Sequence, residues 1–404
     1  MSVIEKKTND ILSMQAKATP PSMIRAILKA MQDSSIISFA GGMPNPISFP
    51  EEELSKSMQR VVEKYGSKVF QYSITAGLPE LRKYIAERYN KKFNLGITEN
   101  NIIITTGSQQ ALDLLAKVLI DKGDQVLVEK PGYLGALQAF SQYRPEFVEI
   151  ELEKDGMNIS ELQDAVKTKN IKFGYIVPNF QNPTGISYSA EKREQLFRIM
   201  EENNFLLIED DPYGELRFSG ETLPYVAAGK TTNSVLLGSF SKTITPGMRL
   251  GYMITKNDEL LLAVNTAKEA ADLHTNIFAQ YVIWDYLMHN DFDEHITKIK
   301  NLYREQSSAM VEAIKEFFPK GIEHTIPQGG MFLWVTLPQG VSSMELFDKA
   351  IKNKVAFVPG DPFYVTERNV NALRLNYTNA SPETIREGIK RLGDILREYE
   401  KKEG

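Results

Sequence analysis

One rhythm, running across residues 101–252, constrains this chain more than any other feature. Five short apolar runs, NIIITTG, QVLVEKPGY, KFGYIVPN, NFLLIEDDPY and SVLLGSFSK, alternate with helical patterns. Each run breaks off in turn-forming or polar residues. Apolar runs of this length, bounded by turn signals, read as strands buried on both faces, as in a parallel sheet covered by crossover helices. The helix after the first run is explicit, with Ala111, Leu114, Leu115 and Val118 at i, i+3, i+4 and i+7. A second, over residues 191–203, is polar with a stripe of Leu196, Ile199 and Met200. The region is therefore α/β with a mostly parallel sheet, and ligands are expected at the C-terminal ends of its strands.

The texture changes near residue 291. A long charged helical stretch leads to Phe318, followed by a strand-like MFLWVTL. A helix is opened by Ser342, with Glu345 three residues on in capping-box spacing. A second strand-like patch, NALRLNY, comes next. The last helix begins at Ser381-Pro382, cap then proline, with Ile385, Ile389, Leu392 and Leu396 along one face. The expected organisation is an N-terminal arm and hinge over residues 1–45, a large domain over 46–290 and a smaller α+β domain over 291–404. Residues 156–170 carry no candidate chemistry and are assigned no role.

Composition narrows the chemistry. The chain has 404 residues and no cysteine, which excludes disulfides, thiolate catalysis and iron–sulfur clusters. Its four histidines, His274, His289, His295 and His324, form no H-E-x-x-H or H-x-H pair, so no metal site is expected. The chemistry falls to Ser, Lys, Asp, Glu, Tyr or Arg, or to an organic cofactor. A net charge of −5 gives no general electrostatic reason to bind nucleic acid or an anionic membrane. The longest charge-free stretch, residues 325–344, is broken by Pro327, Gln328, Pro338 and Gln339, so no membrane span is expected. The opening MSVIEKKTND has no apolar core of signal-peptide type, and a cytoplasmic protein is expected.

Several residues at the strand ends stand out. Lys242, in GSFSKTITPGMRLGY, follows an apolar run and is flanked by Ser239 and Ser241, with Arg249 seven residues on. An isolated lysine there would be a solvated loop residue. With hydroxyls and an arginine around it, the set suits an anion, and a lysine of lowered pKa suits Schiff-base chemistry. Asp210 and Tyr213, in LLIEDDPYG, end an apolar strand, where a carboxylate is costly unless paired and is suited to a protonated heterocyclic nitrogen. A solvated acidic turn is the plainer reading, and strand alternation does not choose between Asp210 and Asp211. Asn182, in QNPTG, is by itself a turn signal. Gly107, Ser108 and Gln109 join a strand to a helix whose free N–H groups suit a phosphate. Tyr133, in EKPGYLG, can stack on a flat ring or simply pack.

Taken together, these elements occur in one order at domain-scale spacing. The chain resembles the fold-type I, pyridoxal-phosphate-dependent aminotransferases of class I and II, nearest the kynurenine/2-aminoadipate subgroup and its bacterial broad-specificity relatives. The resemblance is carried by GGMPNP, QYSITAGLPELR, TTGSQQALDL, EKPGY, QNPTG, EDDPYGELRF, SFSKTITPGMRLGY, GGMFLW and LRLNY, which span nearly the whole chain.

The resemblance implies roles residue by residue. Lys242 holds the cofactor covalently and moves the proton. Asp210 pairs with the ring nitrogen, Asn182 and Tyr213 bond the ring's phenolic oxygen, and Tyr133 stacks on the ring. Ser108, Gln109, Ser239, Ser241 and Arg249 hold the phosphate, and Tyr72 reaches it from the neighbouring subunit of a homodimer. Arg374 clamps the substrate α-carboxylate, with Gly42 and Asn182 beside it. Arg25, in the N-terminal arm, meets a distal carboxylate; on its own it reads equally well as a surface arginine of an amphipathic helix. The implied reaction passes the amino group of a 2-aminoadipate, aromatic or branched-chain type α-amino acid to a 2-oxo acid, 2-oxoglutarate being the expected acceptor, by ping-pong. Two other readings share these motifs. One is a β-lyase or decarboxylase on the same fold. The other is a ligand-sensing regulator, which would carry an N-terminal DNA-binding domain; residues 1–45 show no basic helix-turn-helix pattern.

Overall fold

The computed structural model describes residues 11–18 and 35–403. Near its start, β1 (Ile37–Ser38) pairs in parallel with Val355–Ala356, so this segment lies against the C-terminal part of the chain. The central sheet is built from β2 (Ile102–Thr105), β3 (Gln125–Lys130), β4 (Glu146–Glu153), β5 (Gly156–Met157), β6 (Ile171–Ile176), β7 (Leu206–Asp210), β8 (Ser234–Ser239) and β9 (Gly251–Ile254). Their spatial order is β2-β9-β8-β7-β6-β3-β4-β5. The pairs β4/β3, β3/β6, β6/β7 and β7/β8 are parallel. Strands β2 and β8 are buried throughout, which accounts for their unbroken apolar runs.

The expected mostly parallel sheet is present, with two local differences. Strand β9 lies antiparallel between β2 and β8. No helix separates β8 from β9, and a parallel return needs a long crossover. Strand β4 was hidden because its sequence, EFVEIELE, mixes charge into a partly exposed edge region. The stretch that carried no chemistry is structural: β5 closes this edge and the helix Ile159–Thr168 follows, with Asn158 Oδ1 accepting from Glu161 N at 3.0 Å.

The second sheet comprises β10 (Glu323–His324), β11 (Phe332–Thr336), β13 (Val358–Pro359) and β14 (Ala372–Asn376), all antiparallel in the order β10-β11-β14-β13, while β12 (Val355–Ala356) holds β1. The helices Phe292–Phe317 and Pro382–Glu403 pack together beside it. The helix predicted at Ser342 does start there, but Ser342's side chain makes no cap bond. Its neighbour Ser343 is buried instead, donating to Val370 O at 2.8 Å and accepting from Gly360 N at 3.2 Å. One consequence of the β1 pairing positions the site. Phe39 N donates to Ala356 O and Phe39 O accepts from Asn376 N, both at 2.8 Å, which lays residues 39–42 alongside β14 and Arg374.

Candidate active site

Strands β2, β3, β6, β7 and β8 run in one direction, so their C-terminal ends share one edge of the sheet. Their trailing residues converge on a cleft of about 220 Å³ lined by Gly107, Ser108, Gln109, Tyr133, Val177, Asn182, Asp210, Pro212, Tyr213, Ser239, Ser241, Lys242 and Arg249. Every cleft residue expected from the β-strand ends is in this set. The structure also separates the two adjacent aspartates. Asp210 ends β7 and lines the cleft, with Oδ2 accepting from the Tyr175 hydroxyl at 2.8 Å and Oδ1 buried without a partner. Asp211 turns away, and its carboxylate accepts from Asn179 Nδ2, Gly214 N and the Tyr225 hydroxyl at 3.0, 2.9 and 2.7 Å. Burial pushes the Asp210 carboxyl up to about 7; the Tyr175 hydrogen bond opposes the rise and the neighbouring Asp211 adds to it. A buried half-satisfied carboxylate at a cleft is a site built for a cationic or N–H partner.

Lys242 extends from the loop after β8, and its Nζ donates to Gly42 O at 2.7 Å. Burial, then the like charges of Arg249 and Arg374, bring its pKa down to about 8. The neutral amine, the state that acts as nucleophile or base, is therefore far more populated near neutral pH than in an ordinary lysine. Tyr133 and Tyr213 stand on the same cleft, and burial raises both phenols, Tyr133 to about 12.

At one end of the cleft the helix Gly107–Leu119 presents its first-turn N–H groups. Gly107 has φ of +71°, and a Cβ there would lie 2.7 Å from the Arg249 guanidinium. Only glycine lets the arginine and the backbone approach this closely. Arg249 itself has φ of +53°, an uncommon conformation for a side-chain-bearing residue and one seen at functional sites. The hydroxyls of Ser239 and Ser241 complete a cradle for a tetrahedral anion.

Behind the cleft residue Asn182 lies Arg374, buried on β14. Its guanidinium donates to Asn182 Oδ1 at 2.8 Å and to Ala40 O at 2.7 Å, leaves Nε buried and unbonded, and lies 4.3 Å from the Phe332 ring centroid. No carboxylate among the described residues pairs with it, and burial lowers its pKa to about 10. An unneutralised, buried, planar fork is the group that receives a carboxylate in bidentate fashion.

The comparisons with known proteins agree. The family described as aminotransferase class I and II matches residues 8–392. The chain belongs to this family. It is 40% identical to aromatic-amino-acid aminotransferase 1 of Thermococcus litoralis over 96% of this chain and 95% of the relative. A kynurenine aminotransferase structure from Pyrococcus horikoshii superposes with TM-score 0.93 at 40% identity, covering 98% of this chain and 99% of that one. An α-aminoadipate aminotransferase from Thermus thermophilus, complexed with N-(5'-phosphopyridoxyl)-L-leucine, superposes with TM-score 0.90 at 37% identity, covering 97% and 98%.

The aminotransferase depends on pyridoxal phosphate, and its residues fit that group. The unpartnered Asp210 Oδ1 suits a pyridinium N–H, the glycine-backed arginine cradle suits a phosphate, and Lys242 lines the same cleft. Two expected residues fall elsewhere. Tyr72 is exposed and meets the edge of the His274 ring at a centroid distance of 6.0 Å, away from its own chain's cleft. Arg25 lies outside the described residues. Sequence reasoning missed Tyr175, Phe332 and the Ala40 carbonyl. Tyr175 was within reach of register arguments: it sits opposite Ile208 on β7, and Asp210 is two residues further on the same face.

Proposed function

We propose that this aminotransferase takes aromatic and 2-aminoadipate-type amino acids as donors and returns the nitrogen to a 2-oxo acid, with 2-oxoglutarate as acceptor. The observation that carries this reading is Arg374: a buried guanidinium that pairs with no carboxylate among the described residues, placed beside Asn182, is suited to the α-carboxylate common to every amino and 2-oxo acid. The donor class is supported by the relatives, which are an aromatic-amino-acid, a kynurenine and an α-aminoadipate aminotransferase.

When bound, the cofactor supplies an electron-withdrawing ring that stabilises negative charge at the substrate Cα. The protein's residues do the rest. Asp210 keeps the ring nitrogen protonated through its free Oδ1. Asn182 and Tyr213 would bond the phenolic oxygen, and Tyr133 would stack on the ring. Ser108, Gln109, Ser239, Ser241 and Arg249 hold the phosphate. Lys242 would carry the cofactor covalently and would move the proton between the substrate Cα and C4′. Arg374 holds the carboxylate with Gly42 and Asn182 at its side, and Arg25 meets the distal carboxylate of acidic substrates.

The working enzyme is a cytoplasmic homodimer in which Tyr72 of each chain completes the partner's phosphate site. Its support is an exposed face where Phe70, Tyr72 and Ile74 present apolar surface to solvent. A panel of amino acids, scored by conversion of the bound cofactor to its pyridoxamine form, tests the reading. Aromatic and acidic donors should convert it completely and reversibly with 2-oxoglutarate. Release of ammonia or carbon dioxide instead would identify a lyase or a decarboxylase.

A further inference from the structure

A fully buried lysine outside the cleft is wired to the phosphate cradle. Lys268 lies on the helix Asp258–Asp272 with no exposed surface. Its Nζ donates to both Asp272 oxygens at 2.7 and 2.8 Å, to Thr275 Oγ1 at 3.0 Å and to Gln110 Oε1 at 3.2 Å. Gln110 links this ammonium to the cradle. Its Oε1 also accepts from Thr106 N at 2.8 Å, and its Nε2 donates to Asp272 Oδ2 at 2.7 Å. Thr106 precedes the helix Gly107–Leu119 as its cap, yet its own side chain makes no cap bond. It lies 3.4 Å from Thr275 Oγ1 instead, and Thr275 in turn reaches Ile104 O on β2. The turn that aims the Gly107 and Ser108 N–H groups is therefore held from behind by a charged network anchored on Lys268.

We propose that Lys268 is a positioning residue for the cofactor phosphate. A buried ammonium is costly, and burial lowers its pKa while Asp272 raises it. Simple packing would be served as well by a methionine. What a methionine cannot do is restrain Gln110, and through it the Thr106 peptide, in the one orientation that leaves the following N–H groups free for an anion. Outer partners of this kind orient the groups that touch a ligand without touching it themselves. The proposal rests on assigning the Gly107–Ser108 turn and Arg249 to the phosphate.

The test uses the full-length protein freed of cofactor and titrated with pyridoxal phosphate and, separately, with pyridoxal, which lacks the phosphate. Lys268→Met should weaken pyridoxal phosphate binding by about ten- to hundredfold while changing pyridoxal binding by less than about threefold, the range outer-shell partners produce. Gln110→Leu keeps the Lys268–Asp272 pair, is the variant less prone to misfolding, and should show the same selective loss. Equal weakening of both ligands, or no weakening of pyridoxal phosphate, in either folded variant overturns the proposal, because a merely structural lysine does not distinguish the two. Arg249→Gln is the control. If it fails to separate the two ligands, the cradle assignment itself is wrong, independently of Lys268.

Discussion

The Tyr175 hydroxyl donates to Oδ2 of Asp210 at 2.8 Å, which leaves Oδ1 of the same buried carboxylate as the one atom free to meet a ligand. The bond also restrains the carboxyl rotation and opposes the effect of burial on its pKa. Asp210→Asn should therefore slow Cα deprotonation by about 10²–10³, the cost of removing a preorganised charge. Tyr175→Phe should cost less, about tenfold, the lower end of the roughly 1.5–3 kcal/mol of a hydrogen bond to a charged group, because the carboxylate itself remains. Asp211→Asn should leave the rate of Cα–H exchange nearly intact and show its effect in thermal stability, because its oxygens serve Asn179, Gly214 and Tyr225. Single-turnover spectra with deuterated substrate separate the three.

Lys242 gives a pH prediction. Its pKa of about 8 lies below the ordinary lysine value, so the neutral amine accumulates as pH rises through 8. The rate of covalent attachment of pyridoxal phosphate to cofactor-free protein should climb with pH and level off above that point. Borohydride should then lock the label onto Lys242 alone, and peptide mapping that finds another lysine would remove it from the mechanism. The same shift carries a stability sign. The fold disfavours the charged form, so the cofactor-free protein should gain stability from this group between pH 8 and the ordinary lysine pKa, where the unfolded chain binds more protons.

Two arginines should divide the substrate between them. Arg374→Lys should lower kcat/KM for every donor, by about 2–5 kcal/mol in transition-state binding, because one bidentate partner of a buried charge pair is lost. Arg25→Gln should lower kcat/KM about tenfold or more for glutamate and 2-aminoadipate and leave leucine and phenylalanine nearly unchanged, the scale of one partly desolvated pair. Parallel losses on acidic and apolar donors would show that Arg25 serves the fold of the arm rather than selectivity.

Tyr72 allows a test of composite sites by mixing. Tyr72→Ala and Lys242→Ala chains are each impaired, but a mixed dimer has one site with a native Lys242 and a partner's native Tyr72. Random reassortment should restore about a quarter of the wild-type sites if the enzyme is a two-fold dimer with Tyr72 acting across it. No recovery on mixing, or full activity in a monomer by sedimentation, would place Tyr72 within its own subunit.

The sequence by itself determined the architecture and nearly all of the cleft. Buried parallel strands need continuous apolar runs, and the residues just past those runs collect on one edge of the sheet; Asn182, Asp210, Tyr213, Ser239 and Lys242 were legible for that reason. Long-range pairing was not. That β9 also pairs with the distant β2, and that residues 39–42 are drawn beside Arg374 by the pairing of β1 with β12, depend on contacts between segments far apart in the chain, which no local periodicity records. The resemblance chose Asp210 over Asp211; the tertiary structure supplies the physical difference, with Tyr175 from β6 beside the first and Asn179 and Tyr225 beside the second. Nothing in the sequence singles out Lys268. Only folding, by burying its ammonium against Asp272, Thr275 and Gln110, shows that the charge is held inside the protein at a cost that a surface lysine never meets.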